Sequence, residues 1–216
     1  SPNTSTFSPP YAYHSSIDAR TDRSVLLLED MSDSIKGDSV AGCSLTDAEI
    51  MISGLAEFHS MWWANPRLES LDWLPLKESE STSYQHIYAD SWVRLLKWCG
   101  DAMPRDLKSI GDKLEGDVSR IKSKLTKQPR TFIHGDYRPD NLFLGSPSIG
   151  ETQRVTPLDW EFCGQARGIT DVAMFIMEAF PPDMRRKVEI PLIRLYLEVL
   201  ARNGIDNYSF QECMYD

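Results

Sequence analysis

The sequence predicts an α+β fold that is mainly helical. Apolar residues recur at helical spacing over residues 48–62, and again along a long amphipathic segment at residues 107–125. Short β-prone runs lie outside these segments, at residues 24–29 and 132–144. The helical patterns cover more of the chain than these short runs do.

The first thirty residues predict a tail followed by a β-hairpin. Residues 1–10 are rich in Ser, Pro and Thr and lack the basic-then-apolar pattern of a signal peptide, so we expect a flexible tail. Residues 11–14 and 24–29 are β-prone and flank a polar stretch. Residues 25–28 are all apolar, without alternation, which indicates a strand buried on both faces.

The first helix is predicted to begin at a capping box. Thr46 and Glu49 have the required spacing, and apolar residues follow at helical intervals. His59 lies on that apolar face. From this position we expect a hydrogen-bonded core histidine rather than a catalytic one.

The rest of the chain alternates helices with polar connections. Residues 77–85 are polar and predict a surface loop, after which a second helix begins near residue 88. Pro104 opens the amphipathic third helix. Residues 145–150 predict a turn between two strands, and the last clear helix covers residues 183–203.

A short polar stretch between two apolar runs carries the strongest functional signal. It reads His134-Gly135-Asp136, with Asn141 five residues after the aspartate, and a second short apolar run ends at Asp159. A carboxylate, an amide and a second carboxylate at strand ends supply a base and the oxygen ligands that metal-assisted phosphoryl transfer uses. Turn formation by Asp and Asn is the structural alternative.

These motifs resemble the aminoglycoside phosphotransferase and choline kinase-like family, a relative of protein kinases. The segments at residues 26–31 and 168–173 also resemble that family, and the general likeness leans toward its ecdysteroid kinase-like branch. The resemblance implies a protein kinase-like large lobe with a catalytic-loop β-hairpin. Residues 11–31 would be the end of the small lobe and the hinge, and residues 32–216 the helical large lobe.

The resemblance also implies roles for the polar residues of the loop. Asp136 would orient the substrate hydroxyl and accept its proton, and Arg138 would neutralise charge on the transferring phosphoryl group. His134 is the third residue of this catalytic group, and it would hold the loop by packing and hydrogen bonding. The structural alternative for Asp136 is an aspartate that caps the loop. The alternative for Arg138 is an exposed surface arginine.

The remaining implied roles concern metal, nucleotide and loop support. Asn141 and Asp159 would hold Mg²⁺ on the nucleotide phosphates, and Glu161 would contact a second metal or its water. Asp171 would brace the backbone of the catalytic loop. The hinge backbone at Glu29, Asp30 and Met31 would receive the adenine ring of ATP, although a plain strand end explains the same residues.

Composition limits the partners and the compartment. The 216 residues carry a formal net charge of −9, which argues against nucleic-acid binding and is compatible with a cationic small substrate, although solubility alone explains it. No apolar stretch has the length of a membrane span, and the four cysteines are scattered, as in reduced cytoplasmic proteins. The expected partners are nucleotide and a small-molecule alcohol; the oligomeric state stays open.

Two further expectations come from the resemblance. No Gly-rich loop precedes the hinge and the final family helices do not follow, so we expect a fragment that binds nucleotide poorly and turns over slowly or not at all. The function implied is ATP-dependent phosphorylation of a small-molecule hydroxyl. The alternatives are a non-catalytic kinase-like binding module and a metal-dependent phosphohydrolase. Choline, ethanolamine, aminoglycosides, sugars, homoserine and steroid alcohols are all open as substrates.

Overall fold

Helices dominate the part of the chain that this computed structural model describes, residues 6–77, 81–145 and 153–216. The strands are β1 (Ala12–Asp18), β2 (Arg23–Leu28), β3 (Ile35–Lys36), β4 (Thr131–Ile133), β5 (Leu142–Leu144), β6 (Val155–Pro157) and β7 (Gly164–Ala166). The helices are α1 (Leu45–Trp62), α2 (Ser81–Cys99), α3 (Arg105–Leu114), α4 (Val118–Leu125), α5 (Ile169–Ala179), α6 (Pro182–Arg202) and α7 (Phe210–Tyr215).

The core forms where α1, α5 and α6 pack together. Leu55 of α1, Phe175 of α5 and Leu200 of α6 are fully buried, so the apolar face predicted for the first helix is indeed the core face. The helix begins earlier than predicted. Ser44 is the N-cap and accepts a hydrogen bond from the Asp47 N–H, so the capping box predicted at Thr46 is wrong by two positions.

Within the described residues, the strands form three small sheets. β1 pairs with β2, β4 pairs with β7, and the third sheet has the order β3-β5-β6, with every pairing antiparallel. The strand after the loop at residues 134–141, β5, forms an antiparallel hairpin with β6, the next strand in the chain. The strand before that loop, β4, pairs with β7, so β4 and β5 belong to different sheets.

The predicted N-terminal hairpin is present, but its burial differs from the prediction. Val25, Leu26 and Leu27 of β2 are 59%, 61% and 56% exposed. A ribbon of two strands has two open faces, and no other described element covers either of them. The apolar run therefore does not mark a strand buried on both faces here.

Residues 6–10, part of the expected flexible tail, are packed on the body of the protein. Phe7 is 4% exposed and its ring stacks on Phe58 at 4.8 Å. The flanking backbone pairs with Val155, whose N–H donates to the Thr6 carbonyl at 2.6 Å and whose carbonyl accepts from the Ser8 N–H at 3.0 Å. One large aromatic ring thus holds this segment, while residues 1–5 lie outside the described residues.

The helices after α1 differ in their bounds from the predictions. α2 begins at Ser81, inside the predicted loop at residues 77–85, of which residues 78–80 lie outside the described part. The long third helix is two helices, α3 and α4, separated at residues 115–117, where Gly116 weakens helical continuity. Most of the turn predicted at residues 145–150 also lies outside the described residues. None of the described helices is long and apolar enough to cross a membrane.

Candidate active site

The loop between β4 and β5 brings Asp136 and Asn141 into direct contact. The Asn141 side-chain amide donates to the Asp136 carboxylate oxygen Oδ2 at 2.8 Å and to its backbone carbonyl at 3.0 Å. A single 3₁₀ turn, Pro139–Asn141, sets this geometry and leads directly into β5. Because Nδ2 is the donor in both bonds, the amide oxygen Oδ1 remains the atom of Asn141 that could bind a cation.

Asp159 lies beside this loop in an uncommon backbone conformation. It follows β6 with φ 62° and ψ 65°, in the left-handed region that few residues other than glycine, asparagine and aspartate adopt. The preceding residue, Leu158, donates its N–H to the Asn141 carbonyl at 2.8 Å. The two acid-bearing segments are therefore joined at Asn141, next to the left-handed backbone of Asp159.

His134 holds the same two segments together from the inside. Its Nε2–H donates to the Leu158 carbonyl at 2.8 Å, and its Nδ1 accepts the Asp136 N–H at 3.3 Å. Both bonds suit the neutral ring, with the tautomer assigned from its partners. Burial lowers the pKa of His134 from its ordinary value of 6.5, and the nearby carboxylate of Asp171 opposes the shift only in part.

The lowered pKa of His134 predicts a pH-dependent stability. Below pH 6.5 the unfolded chain binds a proton at this residue before the folded chain does, so the free energy of unfolding decreases as pH falls. The slope for one proton is at most about 1.4 kcal/mol per pH unit. Urea denaturation between pH 8 and 5 measures it, and His134→Gln is expected to remove this part of the slope. Equal slopes in the two proteins would contradict the prediction.

Arg138 lies against the carboxylate of Asp136. Its Nε is 3.4 Å from Asp136 Oδ2, an ion-pair distance without hydrogen-bond geometry, and its side chain is partly exposed. The neighbouring acid faces a different partner, because Asp140 accepts a hydrogen bond from the Ser39 hydroxyl. This bond lowers the pKa of Asp140. Asp136 is thus the acid of the loop that contacts both Asn141 and a cation.

Asp171, near the start of α5, binds the backbone at the beginning of the loop. Its carboxylate accepts the N–H of His134 at 2.6 Å and the N–H of Gly135 at 2.9 Å. These contacts are those that a brace for the loop requires. The same carboxylate also lies 3.3 Å from Nε2 of His59, a contact that the sequence did not suggest.

The residues predicted to form the hinge follow β2, and one of them, Glu29, is bonded to Arg154, next to β6. Arg154 donates to the Glu29 carboxylate at 2.8 Å, and the Tyr11 N–H donates to the same carboxylate at 2.7 Å. The Tyr11 hydrogen bond and Arg154 lower the pKa of Glu29. The Asp30 carboxylate accepts the N–H of Ser32, and the Met31 carbonyl accepts the N–H of Ser34. The Glu29 side chain is therefore structural.

Glu161 and Trp160 occupy the 3₁₀ turn that follows Asp159. Glu161 is exposed, whereas the ring of Trp160 lies 4.5 Å from that of His134. Trp160 also contacts Phe58 and Phe132, and these rings line an apolar cavity of about 340 Å³. Aromatic packing therefore fixes the segment behind Asp159 and leaves Glu161 toward solvent.

The oxygen atoms of the site fit a hard cation that takes few protein ligands. Among the described residues, no three His, Cys, Asp or Glu side chains form a metal-binding cluster. Mg²⁺ is commonly held by one or two protein oxygens, with phosphates and water completing its shell. Asn141 Oδ1 and the Asp159 carboxylate, on two segments joined by hydrogen bonds, match that donor chemistry.

Solved structures with the same fold are found among choline and ethanolamine kinases. A choline/ethanolamine kinase family protein from Mesorhizobium loti matches with a TM-score of 0.51 and 15% identity, over 91% of this chain and 60% of that chain. Plasmodium vivax ethanolamine kinase matches with a TM-score of 0.51 and 12% identity, over 99% of this chain and 66% of that chain. The predicted kinase-like fold is confirmed, and the chain spans 60% and 66% of the length of these two proteins.

Sequence similarity then gives the family. Residues 2–206 match the ecdysteroid kinase-like family, so the chain belongs to that family. No curated protein shows significant similarity to it. The family predicted from the loop and hinge motifs is therefore confirmed, and so is its ecdysteroid kinase-like branch, which the general likeness of the sequence favoured.

Proposed function

We propose that the chain carries the phosphoryl-transfer site of a kinase that phosphorylates a hydroxyl of a small molecule with ATP. One observation carries the proposal. Asn141 contacts the Asp136 carboxylate through its side chain and the Leu158 N–H, next to Asp159, through its backbone carbonyl, which supports a site that combines a base with two oxygen ligands. The family match supports the same chemistry.

In the proposed reaction, Asp136 positions the acceptor hydroxyl and takes its proton. Phosphoryl transfer proceeds through a loose transition state, so orientation of the attacking oxygen contributes more than basicity. The Asn141 amide fixes the rotamer of the carboxylate at 2.8 Å. Arg138, 3.4 Å from the same oxygen, supplies positive charge where the transferring phosphoryl group passes.

The nucleotide would lie between the hinge and the Asp159 segment. The backbone of Asp30 and Met31 would receive the adenine ring, while Glu29 holds the hinge through Arg154. Asn141 and Asp159 would hold Mg²⁺, with Glu161 placed to contact a second ion or its water. When bound, Mg²⁺ neutralises phosphate charge during transfer.

The acceptor class follows from the family rather than from the site alone. The family name points to an ecdysteroid-like alcohol. The names of the two matched structures point to choline and ethanolamine, which are cationic amino alcohols. We propose an alcohol of the steroid type, because the family match covers this chain in sequence, whereas the structural matches share only 15% and 12% identity with it.

Nucleotide binding tests the proposal. We expect calorimetry at high ATP concentration to detect weak ATP binding that depends on Mg²⁺, and Asp159→Ala to weaken that binding at least about tenfold. Asp90→Ala, which removes an exposed acid on α2, is the matched control and should bind like the unaltered chain. No binding by any of the three proteins would contradict the proposal for this chain. Binding without Mg²⁺ dependence would favour the non-catalytic module.

A further inference from the structure

We propose that His59 is a positioning residue of the catalytic loop, acting through the carboxylate of Asp171. The effect of His59 on the geometry of the loop does not depend on which reaction the site performs. The effect of His59 on turnover rests on the proposed function. His59 is fully buried in α1, far from Asp136 in sequence, and touches neither nucleotide nor acceptor in the proposed arrangement. Its effect on the loop passes entirely through other residues.

The imidazole of His59 connects three helices. Its Nε2 lies 3.3 Å from Asp171 Oδ2 on α5, and its Nδ1 lies 2.9 Å from the hydroxyl of Tyr196 on α6. All three residues are at most 1% exposed. A buried imidazole with a partner at each nitrogen has one orientation, since any rotation of the ring would leave polar atoms without partners.

The partners also assign the protons of the ring. A carboxylate accepts hydrogen bonds and donates none, so Nε2 carries the hydrogen that is shared with Asp171. In the neutral ring Nδ1 is then an acceptor, and the Tyr196 hydroxyl is its donor. With this neutral tautomer the hydrogen bonds run in one direction, from Tyr196 to His59 to Asp171.

Asp171 transmits this orientation to the loop. Its two oxygens accept the N–H of His134 and the N–H of Gly135, the residues that directly precede Asp136. With His59 as a third donor, the buried carboxylate has its negative charge distributed over three hydrogen bonds. Loss of the His59 bond would free the Asp171 side chain to rotate and would weaken both backbone bonds together.

The space around the ring leaves no room for a substitute partner. A Cβ at Gly168 would lie 2.8 Å from His59 Nδ1 and would also overlap the Tyr196 hydroxyl. The backbone of His59 is held as well, because the Thr131 hydroxyl donates to its carbonyl at 2.8 Å. Thr131 begins β4, the strand that leads into the loop, so His59 is connected to the loop by two independent routes.

Two substitutions separate positioning from packing. In His59→Gln the amide nitrogen falls near the place of Nε2, so the donor to Asp171 is kept. In His59→Asn the amide falls near Nδ1, so the contact with Tyr196 is kept and the donor to Asp171 is lost. Both variants remove the ring, so a residue that served only to fill space would respond similarly to both.

Amide hydrogen exchange at His134 and Gly135 is the readout, with amides of α6 as the reference for global stability. We expect His59→Asn to accelerate exchange at these two amides at least about tenfold relative to the reference, and His59→Gln to restore most of the protection. Exchange that rises equally in the loop and in α6, or equally in both variants, would overturn the proposal.

Tyr196→Phe provides a second test, since it keeps the ring and removes only the hydroxyl that orients His59. We expect a smaller but still selective acceleration at His134 and Gly135, and unchanged exchange there would also count against the proposal. Where turnover is measurable, kcat should fall in His59→Asn with little change in the KM for ATP. Exchange requires no turnover, so a failure of the proposed function would leave this readout intact.

Discussion

Replacing Gly135 with alanine is expected to destabilise the protein by more than about 3 kcal/mol, because two penalties coincide at this position. Gly135 has φ 84°, which a residue with a side chain rarely adopts. A Cβ at this position would also overlap the carbonyl oxygen of Phe162, in the turn after Asp159. The overlap involves backbone on both sides, so it can be relieved only by moving the loop away from the Asp159 segment.

Gly204→Ala is the matched control for that substitution. Gly204 has φ 90°, but no atom lies within 4 Å of the position that a Cβ would take, so alanine there carries only the conformational cost, about 1 to 2 kcal/mol. Urea denaturation of the two variants and the unaltered chain measures both losses. Equal losses would mean that the loop can separate from Phe162 at little cost, and that its close approach to the Asp159 segment is not tightly held.

Asp136→Asn is expected to lower phosphoryl transfer by about 10²- to 10⁴-fold, the usual contribution of a positioned general base. The amide has the size of the carboxylate and can keep a contact with Asn141, so stability and nucleotide affinity should change little. Turnover is measured with ATP and a panel that contains an ecdysteroid, choline and ethanolamine. The assay uses this chain, or a longer protein that contains it if the chain alone does not turn over.

Asp140→Asn is the control for the loss of charge in the same turn. Asp140 is bonded to Ser39 rather than to Asn141, so the same chemical change should affect turnover only slightly. Equal losses of turnover in Asp136→Asn and Asp140→Asn would show that the loss of a negative charge, and not the loss of a base, lowers phosphoryl transfer. Full turnover in Asp136→Asn would remove the proposed role of Asp136.

The sequence could predict that Asp136 and Asn141 face the same small volume because the determinants of that contact are local. Asp136 and Asn141 are five residues apart in one tight loop, so their spacing alone nearly defines their contact. The order of loop, second acid and hinge then identified the family, which the family match confirms. The same locality explains why the paired strands of the N-terminal hairpin were found correctly.

The contacts that could not be predicted are those between distant segments. His59 and Asp171 are 112 residues apart, and Arg154 and Glu29 are 125 apart, so no spacing rule links them. The prediction that β2 is buried on both faces was wrong for a related reason. An apolar run reports hydrophobicity, whereas exposure depends on which other elements cover the strand. Phe7 is the opposite case. The segment around it is rich in Ser and Pro and was expected to be a flexible tail, but this one aromatic side chain packs the segment onto the body of the protein.

The pairing of β4 with β7 and of β5 with β6 has a mechanical consequence for the site. The chain crosses from one sheet to the other through residues 134–141 and returns through residues 158–163. Both connections span the same gap in opposite directions, so a sliding of one sheet past the other would carry both crossings together. We therefore expect the spacing between Asp136 and the residues Asn141 and Asp159 to change little when one sheet slides past the other.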